Sequence, residues 1–436
     1  MHSVVEKLSR LFVVLGLCSA SNVFAAESLN HLLGLYEVSL ENQSQQVKLN
    51  AAEQKKRSFE AHYGFKLSAT FDARYIEPSK FSFIKNSNDS RVDVLLQKTV
   101  WDFGYRNKRR QLLDGDITFQ GLEQEHTKLK WRSSIVAAYF DVLLSDLQFA
   151  VANERMAIEY IRYDRAKDEV EVERMTEAEL ATKNQVLQES RVAKLVAEQE
   201  QLITRSRLAN LIDGTAKLSD LELPNLKVLE QATPEFEVLV EKLSQSPSLA
   251  LMEQKRQNLM LEAKAAKGQL RPRVSAQIRN SAYQQDSGER SPYQADVMLE
   301  IPLWDGGQVR SEIALLEIQQ QELDLEMRSH VQELKMILRT IIHEIDEQKT
   351  QLDLADARYE AADLNLEKAR ALYELELTSD LGNSMVDQSI AQYLSAKAEY
   401  ELALAWMNLA ILFGDSSFDP ESSLSINDLA RNLSKQ

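Results

Sequence analysis

The chain has 436 residues, 27% of them charged, and a net charge of −16 at pH 7. This acidic balance argues against nucleic acid as a partner, because phosphate binding needs a basic surface. Only 13 glycines and 8 prolines occur, so long helices are expected rather than a loop-rich globule.

Residues 1–25 have the pattern of a secretory signal peptide. A basic start and a short apolar run precede Val23-Phe24-Ala25, which fits cleavage after Ala25. The alternatives are a buried N-terminal helix, or a lipoprotein signal in which Cys18 carries the lipid. Cys18 is the only cysteine, so cleavage after Ala25 would leave no thiol. No later stretch of about 20 apolar residues is found, so no membrane-spanning helix is expected.

One sequence motif occurs twice, at an offset of 203 without a gap. About ten residues of alternating apolar and polar character run into a Trp-Asp-x-Gly corner, and a long helical sequence follows. The corner residues are Trp101, Asp102 and Gly104, and again Trp304, Asp305 and Gly307. The chain is therefore an internal duplication of a strand-to-helix unit. Asp102 and Asp305 are expected to cap the helices that follow them.

The first repeat is expected at 26–214. It is predicted to contain a helix over 28–62, a β-hairpin over 65–101, and a long helical hairpin over about 106–212 with its tip near Met175. Residues 65–75 alternate as a transmembrane β-strand does, although an ordinary half-buried strand shows the same alternation.

The second repeat is expected at 248–414, after a linker over 215–247. It is predicted to contain a helix over 248–268, a β-hairpin over 273–304, and a helical hairpin over about 309–413 with its tip near Leu377. A loose tail follows at 415–436. At about 1.5 Å per residue, the longest helices extend roughly 100 Å.

Four strands cannot close a membrane barrel, since the smallest need about eight. Open sheet edges are costly in lipid, because each unpaired backbone group there costs several kcal/mol. Several copies must therefore share one barrel. Three copies would give twelve strands, and the strand count alone leaves two or four copies open.

The duplicated unit resembles the TolC-type outer-membrane efflux family over essentially the whole mature chain. Further marks of the resemblance are Gly268-Gln-Leu-Arg-Pro272, Ile301-Pro302-Leu303 before the second corner, and the stretch 385–400. The resemblance implies a mainly α fold with a transmembrane β-barrel portion. It also implies a homotrimer with a twelve-stranded barrel in outer-membrane lipid and a long periplasmic α-helical coiled-coil tunnel.

The resemblance also implies partners and site residues. A periplasmic adaptor (membrane fusion protein) and an inner-membrane transporter of ABC, RND or MFS type would work with the channel, in efflux or type I secretion. The helical tips that would meet the adaptor carry Arg174, Met175, Thr176, Leu375, Leu377 and Thr378. Asp387 is a candidate for an acidic ring at the tunnel entrance, and a solvated helix face is the alternative.

Two departures from the family pattern concern the tips and the first hairpin. Neither tip carries the glycine often seen there. The first hairpin begins at Tyr63-Gly64-Phe65, where the second has Arg271-Pro272-Arg273.

No enzyme, cofactor or metal site is expected. The six histidines are scattered, without a His-x-x-x-His pair, and no phosphate-loop lysine follows Gly306-Gly307. The rival to a channel is a non-channel periplasmic coiled-coil structural or adaptor protein, which would explain the helices but not four alternating strands. The acidic bias suggests a cation-preferring lumen as a further hypothesis.

Overall fold

The computed structural model describes residues 27–420 with gaps at 79–85, 215–217, 219, 231, 285–290, 376–379, 416–417 and 419. The expected signal peptide with Cys18 lies outside the described residues, and so does most of the expected tail. The described part consists of a structural unit that occurs twice: a helix, an antiparallel β-hairpin, a very long helix and a return helix.

Helices dominate the chain, and two of them are exceptionally long. The helices are α1 (Leu29–Gly34), α2 (Leu40–His62), α3 (Tyr105–Glu171), α4 (Glu177–Leu211), α5 (Phe236–Lys242), α6 (Pro247–Gly268), α7 (Gln308–Glu374) and α8 (Leu381–Phe413). Short 3-10 turns span Leu35–Val38, Lys227–Glu230 and Leu243–Gln245. Because α3 and α7 each contain 67 residues, each extends about 100 Å.

The helix expected at 28–62 is interrupted, which corrects that prediction. It stops at Gly34, and α2 begins only after Ser39, whose backbone is extended at ψ 150°. The Ser39 hydroxyl accepts a hydrogen bond from the Asn42 backbone N–H at 3.2 Å. A serine that caps in this way offers the backbone an alternative to continuing the helix.

The strands are β1 (Lys66–Asp72), β2 (Arg91–Trp101), β3 (Arg273–Tyr283) and β4 (Tyr293–Glu300). The outer strands are shorter than the predicted hairpin limits. Beyond Asp72, the only bridge assigned to the described residues of the first hairpin joins Tyr75 to Asn88. β4 ends at Glu300 because its partner β3 begins at Arg273, directly opposite.

The four strands form one antiparallel sheet in the order β1-β2-β3-β4. Pairing of β2 with β3 joins the two repeats. The outer edges belong to β1 and β4, and in a single chain both are open to pairing with another strand.

The hydrophobic core lies at a waist where the long helices cross the linker and the N-terminal segment. The Phe140 and Tyr400 rings stack with centroids 4.5 Å apart. The buried Tyr139 hydroxyl has one hydrogen, and it lies within hydrogen-bond distance of two backbone carbonyls, those of Glu222 (2.5 Å) and Glu27 (3.1 Å). The waist therefore fastens the start of the described chain to the linker and to α3.

One described helix, α3, contains a window of 18 residues apolar enough to cross a membrane by length and composition. This departs from the expectation that no such window follows residue 25. The signal is weak, because α3 supplies buried core residues such as Ile135 and Val142. A core helix passes the same test as a membrane helix.

Candidate functional site

The sheet has one apolar face and one polar face. A row across all four strands reads Leu67, Leu96, Ile278 and Ala295, and the adjacent row, on the opposite face, reads Lys66, Gln97, Gln277 and Asp296. The other rows keep this division with few exceptions. These are Lys98 and Asn280 on the apolar face and Leu95, Tyr283 and Met298 on the polar face.

The apolar face is uncovered in the single chain. Leu67 is 72% exposed, Ile278 is 57% exposed and Val297 is 78% exposed. A continuous apolar surface of this kind marks contact with a membrane or with another protein. Alternation of apolar and polar residues on strands of this type is the pattern of a transmembrane barrel, with the apolar side facing lipid.

Aromatic side chains lie at both ends of the apolar face. Those near the first corner are Phe65 and Trp101, and those near the opposite end are Phe71, Tyr75 and Tyr293. Such residues occupy the two interfaces of a membrane protein. Lys98 reaches toward the corner end, where its Nζ lies 4.2 Å from the centroid of the Phe65 ring, as a lysine does when it extends its charge out of an apolar surface.

The two Trp-Asp-x-Gly corners have the same backbone geometry. Gly104 and Gly307 both have φ +89°, with ψ of 8° and 9°, a left-handed conformation that glycine adopts without a steric penalty. The Asp102 carboxylate accepts hydrogen bonds from the backbone N–H groups of Gly104 (3.2 Å) and Arg106 (2.7 Å). Asp102 thus ties the end of β2 to the first turn of α3.

The second corner repeats these bonds. The Asp305 carboxylate accepts from the backbone N–H groups of Gly307 (2.9 Å) and Val309 (2.8 Å). The N-cap positions belong to Gly104 and Gly307, which corrects the expectation that the aspartates are the N-caps. Each aspartate lies two residues before its glycine, so its carboxylate spans the turn.

The corners differ in what surrounds them. At the first corner, the Arg271 guanidinium donates to the Phe103 carbonyl. Burial and the neighbouring Asp102 carboxylate, to which the Tyr63 hydroxyl is hydrogen-bonded, raise the pKa of Tyr63 to about 12. At the second corner, Trp304 is 87% exposed. Trp101, at the first corner, is 63% exposed, so the second corner is the less covered of the two in one chain.

The register also corrects the match made between the hairpin starts. Lys66 lies opposite Gln97, and Arg273 lies opposite Glu300, the residue equivalent to Gln97. Arg273 therefore takes the place of Lys66. The alignment of Arg271 with Tyr63 was wrong by one residue, and Arg271 corresponds to Gly64.

The first helical tip is formed by two local capping arrangements. Glu173 has φ +56° and occupies the left-handed position after α3 where glycine is common; the Arg174 N–H bonds the Glu169 carbonyl at 2.8 Å. Thr176 caps α4 and forms a capping box with Glu179. The backbone N–H and hydroxyl of Thr176 hold the pKa of Glu179 below its usual value. Of the predicted docking residues, Arg174 and Thr176 are exposed and Met175 is half-buried.

The second tip is only partly described. Leu375, at the end of α7, is 69% exposed, whereas Leu377 and Thr378 lie outside the described residues. Asp387 is exposed on α8. A ring of Asp387 carboxylates would require further copies of the chain. Its role in an acidic ring stays a prediction.

Contacts that the sequence did not reveal join the two hairpins near the tips. The Arg162 guanidinium donates to Asp380 at 2.6 Å and to Glu159 at 2.5 Å. The Asp380 carboxylate also accepts from the Asn383 N–H at 3.2 Å and so caps α8. Farther along, the Ser389 hydroxyl donates to Glu154. The return helix of the second hairpin is thereby fastened to the long helix of the first.

Within the described ranges, no group of three or more His, Cys, Asp or Glu side chains could hold a metal ion.

Comparison with known proteins shows the fold. No protein-family profile matches the chain, and no curated protein matches it. Among solved structures, the CmeC outer membrane channel of Campylobacter jejuni is 15% identical, with 93% of this chain and 89% of that chain covered and a TM-score of 0.74. The MtrE outer membrane channel of Neisseria gonorrhoeae is 12% identical, with 91% of each chain covered and a TM-score of 0.69.

The CusC channel is 15% identical, with 88% of this chain and 91% of that chain covered and a TM-score of 0.70. The expected likeness to the TolC-type channels is therefore confirmed at the level of the fold. It extends over almost the whole described chain.

Proposed function

We propose that the chain is the exit duct of a tripartite efflux or type I secretion system. Three copies share a twelve-stranded barrel in the outer membrane of a Gram-negative bacterium. The helical hairpins continue the barrel through the periplasm as a tunnel. Substrates pass through it from an inner-membrane transporter and a periplasmic adaptor, and the chain itself performs no catalysis.

The observation that carries this proposal is the sheet with two faces and two open edges. Its apolar face needs lipid, and its polar face suits a water-filled lumen. Because an open edge in lipid leaves backbone groups unpaired, the edges require further copies. The named functions of CmeC, MtrE and CusC, all outer-membrane or transmembrane channels by their descriptions, agree with this reading.

The helical tips are the proposed contact with the adaptor. Arg174 and Thr176 are exposed at the first tip, and Leu375 is exposed at the second. Leu377 and Thr378 belong to the same proposal by position in the sequence. Asp387 would contribute three carboxylates near the tunnel entrance of a trimer.

The test is to reconstitute the detergent-extracted protein in a planar bilayer and to measure its mass in detergent. We expect stable single-channel steps from a species of three chains. A single-chain species without conductance would contradict the proposal and favour the non-channel periplasmic coiled-coil reading. Heat-modifiable migration and co-fractionation with the outer membrane give an independent check, because a soluble adaptor shows neither.

A further inference from the structure

The pairing of β2 with β3 is an internal example of how one repeat joins the next. In this seam, Gln97 lies opposite Gln277 and Asp93 lies opposite Ser281. The Ser281 hydroxyl donates to the Asp93 carboxylate at 2.6 Å. The seam therefore defines both a register and a polar contact between two copies of the same structural unit.

The two hairpins can be placed in correspondence residue by residue. β2 matches β4 at an offset of 203, from the two Trp-Asp-x-Gly corners. β1 matches β3 at an offset of 207, because Lys66 and Arg273 lie opposite the equivalent residues Gln97 and Glu300. The difference of four residues falls in the loops that join the strands.

The two open edges are β4, equivalent to β2, and β1, equivalent to β3. The offsets therefore turn each residue pair of the internal seam into a residue pair of a seam between two copies. We propose that β4 of one copy pairs with β1 of the next, with Glu300 opposite Thr70 and Asp296 opposite Arg74 of the partner copy, and that this pairing covers the second corner. The inference rests on the proposed function, since it assumes a shared barrel, and it adds the register of the joint.

The chemistry of the two edges fits this register. Residues of the apolar face meet residues of the apolar face, as in Leu299 opposite Phe71. On the polar face, Asp296 takes the place of Asp93, and Arg74 takes the place of Ser281. A carboxylate thus meets a hydrogen-bond donor in both seams, and the seam between copies gains opposite charges.

The segment after β4 supports the same arrangement. In the internal seam, the register shifts between Thr99 and Trp101, which marks a bulge. The equivalent segment is Pro302 to Trp304, and proline within a sheet is confined to edges and bulges. Leu303 and Trp304 are 91% and 87% exposed in the single chain. In the proposed register, Trp304 lies opposite Leu67 of the next copy, as Trp101 lies opposite Val274.

Disulfide cross-linking tests the register directly. Thr70→Cys with Glu300→Cys, in a Cys18→Ser background, places two cysteines opposite each other at about 4.5–5.5 Å between Cα atoms, a separation that a disulfide spans. The matched control is Thr70→Cys with Met298→Cys, on the same face but two residues out of register, at about 7–8 Å. β1 and β4 lie at opposite edges of the sheet, about 14 Å apart, so any bridge joins two copies.

We expect oxidation of the purified trimer to give covalent dimers and trimers from the Thr70–Glu300 pair, about tenfold more than from the Thr70–Met298 pair, given the distance limit for a disulfide. Equal or reversed yields, or no bridge in a conducting three-chain particle, would overturn the register and leave the proposed function intact. A single-chain particle without conductance would overturn both.

A charge exchange tests the polar contact. Asp296→Arg should lower the temperature at which the trimer dissociates in detergent, because it places two cations opposite each other. Arg74 also forms ion pairs within its own chain, with Asp72 at 3.6 Å and with Asp89 at 3.8 Å, so Arg74→Asp alone is the control. The double variant Asp296→Arg with Arg74→Asp should lose less than the two single variants lose together. A loss in the double variant that equals or exceeds that sum would overturn the pairing of Asp296 with Arg74.

Discussion

The waist and the sheet use the same apolar residue types in opposite ways. Leu338, in α7 at the waist, is completely buried, whereas Leu67 in β1 is 72% exposed. At the waist, helices from both repeats and the linker surround each apolar side chain. On the sheet, nothing in the described part of the chain covers the apolar face. The waist is thus a core completed within one chain, while the apolar face and the two edges of the sheet are the parts that the proposed shared barrel would cover.

The largest expected effect is at the waist. Leu338→Ala should lower the free energy of unfolding by about 2–5 kcal/mol, because a fully buried leucine leaves a cavity. Denaturant unfolding in detergent, followed by helical circular dichroism, measures it. Leu67→Ala is the matched control and should cost clearly less, since its side chain contacts few protein atoms. Equal losses would mean that the two regions do not differ as described.

A charge on the apolar face tests the other side of the comparison. Val297→Arg should cost about 2–4 kcal/mol where the side chain faces the middle of the bilayer. The assay is the fraction of protein that reaches a heat-modifiable trimer in lipid. Ser275→Arg places the same charge on the polar face, in β3 between Thr99 and Met298 of the same chain, and should assemble normally. If both variants assembled equally well, the assignment of the faces would be wrong.

The corners join the sheet to the long helices of the waist, and replacing a corner glycine should lower the stability of the protein. Gly307→Ala should destabilise by about 1–2 kcal/mol, because a side chain at φ +89° meets the following carbonyl oxygen. Gly121→Ala, inside α3 with open space around the added methyl, should instead stabilise by about 0.5–1 kcal/mol. Thermal unfolding of both variants measures the two changes in stability. Changes of the same sign would contradict this account of the corner.

The smallest expected effect is at the first tip. Thr176→Ala removes a capping box and should weaken the start of α4 by about 1 kcal/mol, measured as faster amide exchange in its first turn.

Because the pKa of Glu179 is lowered in the folded tip, its contribution is present above the unfolded pKa and is lost as the pH falls through the folded pKa. The protection factors in this turn, which are the exchange rates corrected for the intrinsic rate at each pH, should therefore fall at acid pH in the wild type, and Thr176→Ala should show less of this dependence. An unchanged pH response would mean that the box contributes nothing.

Periodic patterns in the sequence were enough to locate the large elements. In the structure, α3 begins at Tyr105 and α4 ends at Leu211, where a helical hairpin was predicted over about 106–212. Likewise, α7 begins at Gln308 and α8 ends at Phe413, where a hairpin was predicted over about 309–413. Such long helices are set by local periodicity and by the lack of proline. The repeated corner motif likewise pointed to two equivalent turns.

Contacts between residues distant in sequence were not predictable. The bond from Arg162 to Asp380 joins residues 218 positions apart, and the bond from Arg271 to the Phe103 carbonyl joins residues 168 positions apart. Neither leaves a local pattern. The break at Ser39 was missed for another reason, since a serine on a helical face looks the same whether it caps or is solvated.

The acidic net charge is not concentrated on the polar face of the sheet. Within the four described strands, four cations there are balanced by four acids. The cations are Lys66, Arg91, Arg273 and Arg279, and the acids are Asp72, Asp93, Asp296 and Glu300. A lumen that prefers cations would therefore owe the preference to residues outside these four strands, and Asp387 in α8 is the candidate. A measured reversal potential in a salt gradient, compared before and after neutralising Asp387, tests that hypothesis.

The backbone angles at each glycine corner also affect the position of the helical tip at the far end of the long helix. A helix of 67 residues is a lever of about 100 Å, so an angular error of about 1° at the corner displaces its tip by about 2 Å. A hydrogen bond tolerates only a few tenths of an ångström. The aspartate that bridges each turn therefore fixes the direction in which the long helix leaves the sheet, and the packing at the waist and the contacts near the tips must agree with that direction.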